Sequence, residues 1–181
     1  PTDYIYDGFG NLKQMISPDT GITRYTYDEA GNRLSQMDAR GVVTNYTYDA
    51  ANRLKTVTYP AAASENITYA YDSCLFGSAC NGRLSSITDS SGQTLYFYDA
   101  RGDVVAAIHV TGGTNYTVTY AYNPAGKRTS VTYPSGRIVN YTLDALGRVD
   151  QQEHPLAGGQ GPGHLVVKVD VAGGVDQVKH V

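Results

Sequence analysis

Apolar and polar residues alternate in short runs along most of this chain, and each run ends at a turn signal. A representative stretch, TRYTYDEAGNRLSQMDARG (residues 23–41), places Tyr25 and Tyr27 two residues apart, on one face of a strand. The following DEAG is typical of a type I turn that closes through a left-handed residue, Gly31. A second strand and a second turn ending in Gly follow. The stretch therefore predicts strand–turn–strand–turn.

This pattern recurs seven times, with steps of 21, 21, 23, 27, 24 and 21 residues between the polar residues that open the first turn. We expect these residues to cap their turns, and we expect the Gly or Asn three positions later to take a positive φ. The predicted structural turn positions are Asp7, Gly10, Asp28, Gly31, Asp49, Asn52, Asp72, Asp99, Gly102, Asn123, Gly126, Asp144 and Gly147.

The connections are short, so neighbouring strands must be antiparallel. Seven units of two strands predict an all-β fold of about 12–14 strands in one meander, which coils because long sheets twist. Segments of ten or more residues with a helical apolar stripe are absent from the sequence, so we expect little or no helix.

Tyrosine is concentrated in one part of the repeat, just before the turn, where thirteen of the sixteen tyrosines occupy two positions that are two residues apart: six pairs, and Tyr141 with Leu143 in place of the second ring. We expect the rings of successive units to share one sheet face and to pack over the intervening strand. Apolar filling is expected from Leu34, Leu54, Val57, Leu84 and Ile87.

The stretches YTYDEAGNRL, YTYDAANRL and YFYDARGDV, with D-x-x-G between units, resemble the YD repeats of Rhs (rearrangement hotspot) proteins. Such repeats also occur in Rhs polymorphic toxins and in the B and C components of toxin complexes. The resemblance implies a β-sheet that spirals into a hollow shell around the C-terminal part of the same polypeptide, usually a toxin. On that basis the chain is either a stretch of shell wall or a short orphan array.

The repeat pattern ends near residue 150, which divides the chain into two predicted parts. Residues 1–150 form the YD-repeat array, and residues 151–181 form a Gly-rich linker and tail. Residues 164–171, HLVVKVDV, alternate well enough for one strand, which would pair with an edge of the array or remain poorly ordered.

Composition narrows the classes of partner. The net charge is -3 and basic runs are missing, which argues against nucleic acid. The sequence contains no apolar stretch of membrane-spanning length and no visible signal peptide, and the chain begins at Pro1, as expected of a fragment. The resemblance implies a secreted or cell-surface bacterial protein whose partner is the rest of its own polypeptide or a toxin cargo. Bare sheet edges also predict edge-to-edge self-association.

Cys74 and Cys80 are the two cysteines of the chain, and they would close a small loop as a disulfide. Two unpaired thiols are the alternative from the sequence. A metal site would require further ligands, which the neighbouring sequence does not supply.

Each repeated residue type has a functional and a structural interpretation. The tyrosines could stack on sugars in a carbohydrate-binding or adhesion module, but once-per-unit recurrence favours packing. The aspartates could bind calcium, but Asn123 replaces one of them, which favours turn capping. The arginines after each turn could form a basic stripe, although pairing with neighbouring acids is favoured.

Catalysis has little support in the sequence. His109 stands apart from nucleophile motifs, and a motif repeated seven times is unlike the single constellation that an enzyme needs. We therefore expect no enzyme activity, no cofactor and no metal. The sequence indicates a structural wall segment that encapsulates a toxin or cargo, with glycan binding as the alternative.

Overall fold

The computed structural model describes residues 1–73, 75, 77–155, 164–169 and 175–180, with the backbone alone from residue 151 onward. The chain divides into two compact units. Unit 1 comprises Pro1–Tyr71 with Leu84–Gln93, and unit 2 comprises Asp72–Arg83 with Thr94–Val181.

Unit 1 is an antiparallel meander in which each strand pairs with the next one along the chain, as short turns require. Its strands are β1 (Asp3–Tyr6), β2 (Leu12–Ser17), β3 (Gly21–Tyr27), β4 (Arg33–Met37), β5 (Val43–Tyr48), β6 (Leu54–Thr58), β7 (Ile67–Tyr71) and β8 (Leu84–Asp89). The next strand, β9 (Gly92–Tyr98), begins in unit 1 and continues in unit 2.

Unit 2 repeats the arrangement, again with consecutive antiparallel pairs. Its further strands are β10 (Val104–Thr111), β11 (Thr114–Tyr122), β12 (Arg128–Thr132), β13 (Ile138–Leu143), β14 (Val149–Pro155), β15 (His164–Val169) and β16 (Val175–His180). The all-β antiparallel meander predicted from the sequence is thus confirmed. Within the described residues the helical content is one 3-10 turn, Ala63–Glu65, and no helix there has the length and apolarity of a membrane span.

The predicted boundary at residue 150 falls inside β14, which runs from Val149 to Pro155. β15 covers most of the predicted strand at 164–171, and β16 was not predicted. The predicted linker, residues 158–163, lies outside the described residues, so the division into array and tail stays a prediction.

Where a tyrosine strand pairs with the strand that follows it, a β-bulge interrupts the register just before the second tyrosine position. It lies at Tyr6, Tyr27, Tyr48, Tyr71, Tyr122 and Leu143. A bulge adds one unpaired residue to the partner strand and increases its twist. In β4 the added residue is Leu34, which is 40% exposed and therefore does not fill the space between tyrosines as expected.

Ser85 and Ser86 of β8 are buried in unit 1, and Ser86 pairs with Ala70, which lies on the face opposite the tyrosine rings. The other buried strand residues lie on the face that carries the tyrosine pairs, which we call the tyrosine face. In unit 1 these are Thr23, two residues before Tyr25, and Val57, which pairs with Tyr46. In unit 2 they are Val131, which pairs with Tyr120, and Val139, which is 0% exposed. The opposite face of unit 1 is polar, with exposed hydroxyl pairs Thr26–Ser35 and Thr47–Thr56 at 2.6 and 2.7 Å. A single sheet thus buries small side chains beneath large rings.

Candidate functional site: the repeated turn and tyrosine contacts

The turn after each tyrosine strand has one hydrogen-bonding pattern, seen at Asp28. Its Oδ1 accepts the backbone N–H of Ala30 at 3.0 Å and of Asn32 at 2.8 Å. The N–H of Gly31 donates to the carbonyl of Asp28 at 3.1 Å, and Gly31 has φ 81°. The same contacts recur at five other predicted turn positions, Asp7, Asp49, Asp99, Asn123 and Asp144. The side chain thus supplies the acceptor that the turn's N–H groups need.

The carboxylates of these turns are stabilised as anions. The side-chain amide of Asn32 donates to Asp28 and is the largest cause that lowers the pKa of that carboxyl, and Asn11 does the same at Asp7. At Asp49 and Asp144 the largest cause of the lowered pKa is a backbone N–H, supplied by Arg53 and Arg148. Hydrogen bonds to the charged form favour it, so these aspartates remain ionised at neutral pH.

Asp38 forms the same turn, although it lies in the second connection of its unit and was not among the predicted capping positions. Its Oδ1 accepts the N–H groups of Arg40 and Val42, each at 2.9 Å. The D-x-x-G spacing of Asp38 and Gly41 was the sequence signal. The backbone bonds of this turn also form at Tyr133, where Gly136 supplies the positive φ of 80° without any carboxylate.

Asp72 departs from the pattern because the carbonyl that its N–H contacts belongs to Arg83, eleven positions later, whereas in the other turns that carbonyl lies four positions after the capping residue. Its N–H donates to the carbonyl of Arg83 at 3.2 Å, and its Oδ1 accepts from the N–H of Gly82 at 2.6 Å. Asp72 itself has φ 63°. The inserted segment returns to β9, where Ser78 Oγ accepts the N–H of Tyr98 at 2.9 Å.

Cys80 lies in this inserted segment. It is fully buried and oxidised to a disulfide. The predicted partner, Cys74, lies outside the described residues, so the pairing stays a prediction.

In four of the tyrosine pairs, the hydroxyl of the second tyrosine joins its repeat to the preceding one. Tyr27 Oη donates to the carbonyl of Leu12 at 2.9 Å, and Tyr48 Oη donates to that of Arg33 at 3.0 Å. The other two such bonds are Tyr71 to Leu54 and Tyr122 to Val104, each at 2.8 Å. The acceptor is always five residues after the capping residue of the preceding turn. Burial raises the pKa of Tyr27, which keeps its hydroxyl protonated as a donor.

The repeated arginines lie against tyrosine rings. Arg33 is 4.7 Å from the ring centre of Tyr46 in the next unit and 5.7 Å from that of Tyr25 in its own hairpin. In unit 2, Arg128 is 5.2 Å from Tyr141 and 5.9 Å from Tyr120. Cation–π attraction acts at these distances. The arginines are therefore held between tyrosines of successive repeats, which the sequence interpretation did not identify.

Arg53 and Arg148 also make the predicted ion pairs with acids. Arg53 contacts Asp49 at 2.7 Å while its guanidinium lies 4.3 Å from the ring centre of Tyr71. Arg148 contacts Asp144 at 2.7 Å. Both ion pairs are partly exposed, so the charge interaction itself is modest. At Arg53 the contact with the Tyr71 ring adds to it.

Successive turns also contact each other along one edge of each unit. The side chain four residues after the cap of one turn reaches the left-handed residue of the next turn. In unit 1, Asn32 Nδ2 donates to Asn52 Oδ1 at 2.9 Å. In unit 2, a Cβ added to Gly147 would lie 3.4 Å from Lys127 Cε. At the longer turn of Asp72 the contact comes from Arg83, whose guanidinium would collide with a Cβ added to Gly102. Glycine here allows one turn to approach the next as well as a positive φ.

Two grooves open on the array. The first groove, in unit 1, has a volume of about 740 Å³ and is lined by Asp7, Phe9, Lys13, Tyr25, Tyr27 and Glu29 among others. The second groove, in unit 2, has a volume of about 290 Å³ and is lined by Lys127, Arg128, Tyr122, Tyr141 and Leu143 among others.

Few of the described side chains that could bind a metal ion or a sugar, or act in catalysis, are free of contacts within the array. The turn aspartates use Oδ1 for two backbone N–H groups, and the described residues include no cluster of three His, Cys, Asp or Glu fit for a metal ion. His109 Nδ1 lies 3.0 Å from Thr94 Oγ1. Tyr71 uses both its ring and its hydroxyl within the array, and other tyrosines use one of the two, which disfavours a sugar-stacking surface.

Known proteins share both the sequence pattern and the fold. The family model described as RHS Repeat matches residues 6–37, 27–64, 81–114, 107–138 and 122–155. Matches to solved structures include the crystal structure of TcdB2-TccC3, with 18% identity and a TM-score of 0.78. The structure of the Photorhabdus luminescens Tc holotoxin pore, with a TccC3 mutation, also matches at 18% identity and a TM-score of 0.75. No curated protein matches the chain.

Both alignments cover 99% of this chain and 10% of the other chain, so this chain spans about a tenth of those proteins' length. At 18% identity the structural likeness shows a common fold and no more. The family-model matches span more than half of the sequence. The chain belongs to the RHS repeat family.

Proposed function

We propose that the array is a wall segment of a larger RHS-type shell that encloses a toxin or another cargo, and that it performs no chemistry itself. The observation that carries the proposal is the set of contacts between repeats: four repeats are hydrogen-bonded to the preceding one through a tyrosine hydroxyl, and the turns at Asn32 and Asn52 are joined by a further hydrogen bond. These contacts add units in one direction, as a wall requires.

The first strand supports a wall segment over a closed module. β1 pairs with β2, and the rings of Tyr4 and Tyr6 are 54% and 58% exposed, whereas Tyr25 and Tyr27 are half-buried. An RHS strand placed before β1 would cover them in the way that β2 and β4 cover later pairs. The same edge supports association between copies of the free chain.

The similarity to toxin-complex structures supports a secreted or cell-surface protein whose partner is the rest of its own polypeptide. A wall of this kind would act by exclusion. Its backbone N–H and C=O groups are satisfied between strands, so an enclosed chain would find few of them free to pair with.

A chimaera tests the proposal. The part of TcdB2-TccC3 that aligns with this chain would be replaced by residues 1–181, and protease protection of the C-terminal region would be measured. We expect a folded particle that still protects that region. A matched chimaera with Tyr27→Ala and Tyr48→Ala should lose protection, because two links between repeats are removed. Rapid digestion in a well-folded first chimaera would refute the enclosing role.

A further inference from the structure

The first groove lies where the preceding repeat supplies no arginine to the next tyrosine pair, although Arg33 of the same hairpin is 5.7 Å from the ring centre of Tyr25. Five residues after the capping residue, Arg33 reaches Tyr46 of the next unit and Arg128 reaches Tyr141. The equivalent residue of the first repeat is Leu12, and the equivalent tyrosine of the next repeat is Tyr25. A hydrocarbon chain therefore stands where two other units place a cation over the next ring.

The neighbouring position shows the same substitution. Four residues after the cap, Arg53 contacts Asp49 at 2.7 Å and the ring of Tyr71 at 4.3 Å. In the first repeat this residue is Asn11. Its short side-chain amide donates to Asp7 Oδ2 at 3.0 Å and cannot extend over the ring of Tyr27. Both sources of a guanidinium are thus replaced in the first repeat, as they also are after Asp99 by Asp103 and Val104, and the 740 Å³ groove lies beside the first repeat.

The charge of the groove suits a cation. Asp7, Asp28 and Glu29 line it against one base, Lys13. The hydrogen bonds of their turns, from the side chains of Asn11 and Asn32 first, lower the pKa of Asp7 and of Asp28, so both stay anionic at neutral pH. The groove therefore presents aromatic faces and an excess of negative charge.

Phe9 adds a further aromatic surface at the rim. Its side chain is 94% exposed, at a turn position where three other units have alanine, namely Ala30, Ala51 and Ala125. An exposed phenylalanine next to two tyrosines and two carboxylates can hold a planar cation by stacking and by charge. A guanidinium fits better than an ammonium ion, because it is flat and weakly hydrated and donates in a fork.

We propose that the first groove binds an arginine side chain from a separate polypeptide segment, which takes the place that Arg33 and Arg53 occupy in later repeats. The occupant is an arginine in an extended stretch, because the groove is open to solvent along the array. The binding is independent of whether the array encloses a cargo.

A peptide experiment on the full chain tests the proposal. Acetyl-Gly-Arg-Gly-amide would be titrated in low salt and followed by NMR shifts of Phe9 and Tyr25. The citrulline peptide has the same shape without the charge, and we expect it to bind at least about fivefold more weakly. The lysine peptide should fall between them. Equal binding of the arginine and citrulline peptides would overturn the proposal.

Two exposed side chains give variants that should fold normally. Glu29→Gln removes a charge and Phe9→Ala removes an aromatic wall, and each should weaken arginine binding by about two- to fivefold. Gln93→Arg, which adds an exposed charge on β9, is the control and should leave binding unchanged. Full binding in both Glu29→Gln and Phe9→Ala would place the peptide elsewhere.

The sharpest variant fills the groove from within. Leu12→Arg restores the arginine that later repeats carry, and leaves the Leu12 backbone carbonyl available to Tyr27. We expect it to lose peptide binding while keeping a native spectrum. If the folded variant still binds the peptide as the original chain does, the groove is not the site. If it is unfolded, Glu29→Gln and Phe9→Ala decide the question.

Discussion

The two grooves differ in what their repeats lack. In the first groove, of about 740 Å³, both tyrosines are present and the preceding unit has Asn11 and Leu12 instead of an arginine. In the second groove, of about 290 Å³, Arg128 is present and Leu143 replaces the second tyrosine. The repeat contact thus has two separable parts, a guanidinium from one unit and a phenol from the next, and loss of either part leaves an open space.

The phenol and the guanidinium also differ in how they hold successive repeats together. The phenol makes a hydrogen bond to the backbone of the preceding unit, whereas the guanidinium fills space between rings. We therefore expect loss of a tyrosine to cost more stability than loss of an arginine, and the changes below test this from the largest effect to the smallest.

Tyr27→Leu would remove the second tyrosine from the first groove, as Leu143 already does in the second groove. It removes ring packing and the bond to the Leu12 carbonyl, so we expect a loss of about 2–3 kcal/mol in the free energy of unfolding. Urea unfolding measures it. Tyr27→Phe is the control and should lose about 1 kcal/mol, since only the hydroxyl is removed. Equal losses would assign the whole effect to the hydrogen bond.

Gly147→Ala and Gly31→Ala compare the turns beside the two grooves. Both residues have left-handed φ, at 75° and 81°, so each change should cost about 1–2 kcal/mol. Gly147→Ala should cost more, because the added Cβ would lie 3.4 Å from Lys127 Cε, whereas at Gly31 the nearest atom, Asn11 Oδ1, is 3.7 Å away. Gly8→Ala, in open space and without a left-handed φ, should be neutral in the same unfolding assay.

Leu143→Tyr should repair the second groove. The new hydroxyl would reach the carbonyl of Arg128, five residues after Asn123, as Tyr122 reaches Val104. A gain of about 1 kcal/mol in unfolding free energy is expected. Leu143→Phe separates the two contributions, because it restores the ring without the donor. A tyrosine variant no more stable than the phenylalanine variant would show that the hydroxyl finds no acceptor there.

Acid should affect both turns of the first groove but only one turn of the second. The hydrogen bonds of the folded state lower the pKa of Asp7 and Asp28 below the unfolded value of about 3.9. Their stabilising contribution is therefore complete above about pH 4 and is lost as the pH falls through the folded-state pKa. The second groove is bounded by Asn123 and Asp144, so only one of its turns titrates.

Amide hydrogen exchange, measured at pH 4 and below, reports on each turn separately. The N–H groups of Ala30 and Asn32 should lose protection as Asp28 is protonated, while those of Ala125 and Lys127 should change least. Asp28→Asn is the matched variant, because it should remove the pH dependence at its own turn. Parallel loss of protection at Asn123 and Asp28 would show global unfolding in place of local titration.

Most of the fold could be predicted because short-range sequence patterns specify the strands and turns of each repeat. The spacing of Tyr25 and Tyr27 assigns them to one face, and D-x-x-G assigns the turn at Asp28, without knowledge of any distant residue. Short turns then require antiparallel neighbours. Asp72 could not be predicted in the same way, since its turn is completed by Gly82 and Arg83 across an insertion.

The sequence by itself determined the repeat, the all-β meander, the position of its turns and the shared face of the tyrosines, because these follow from a period of two along a strand and from the φ preferences of glycine and asparagine. Tertiary structure alone decided which carbonyl each tyrosine binds, where the bulges interrupt the register, and which ring each arginine covers. The tyrosine and arginine contacts between successive repeats join residues 13 to 18 positions apart, so they depend on register between strands. Both grooves arise at that level, because each is the space left when one partner of such a contact is replaced.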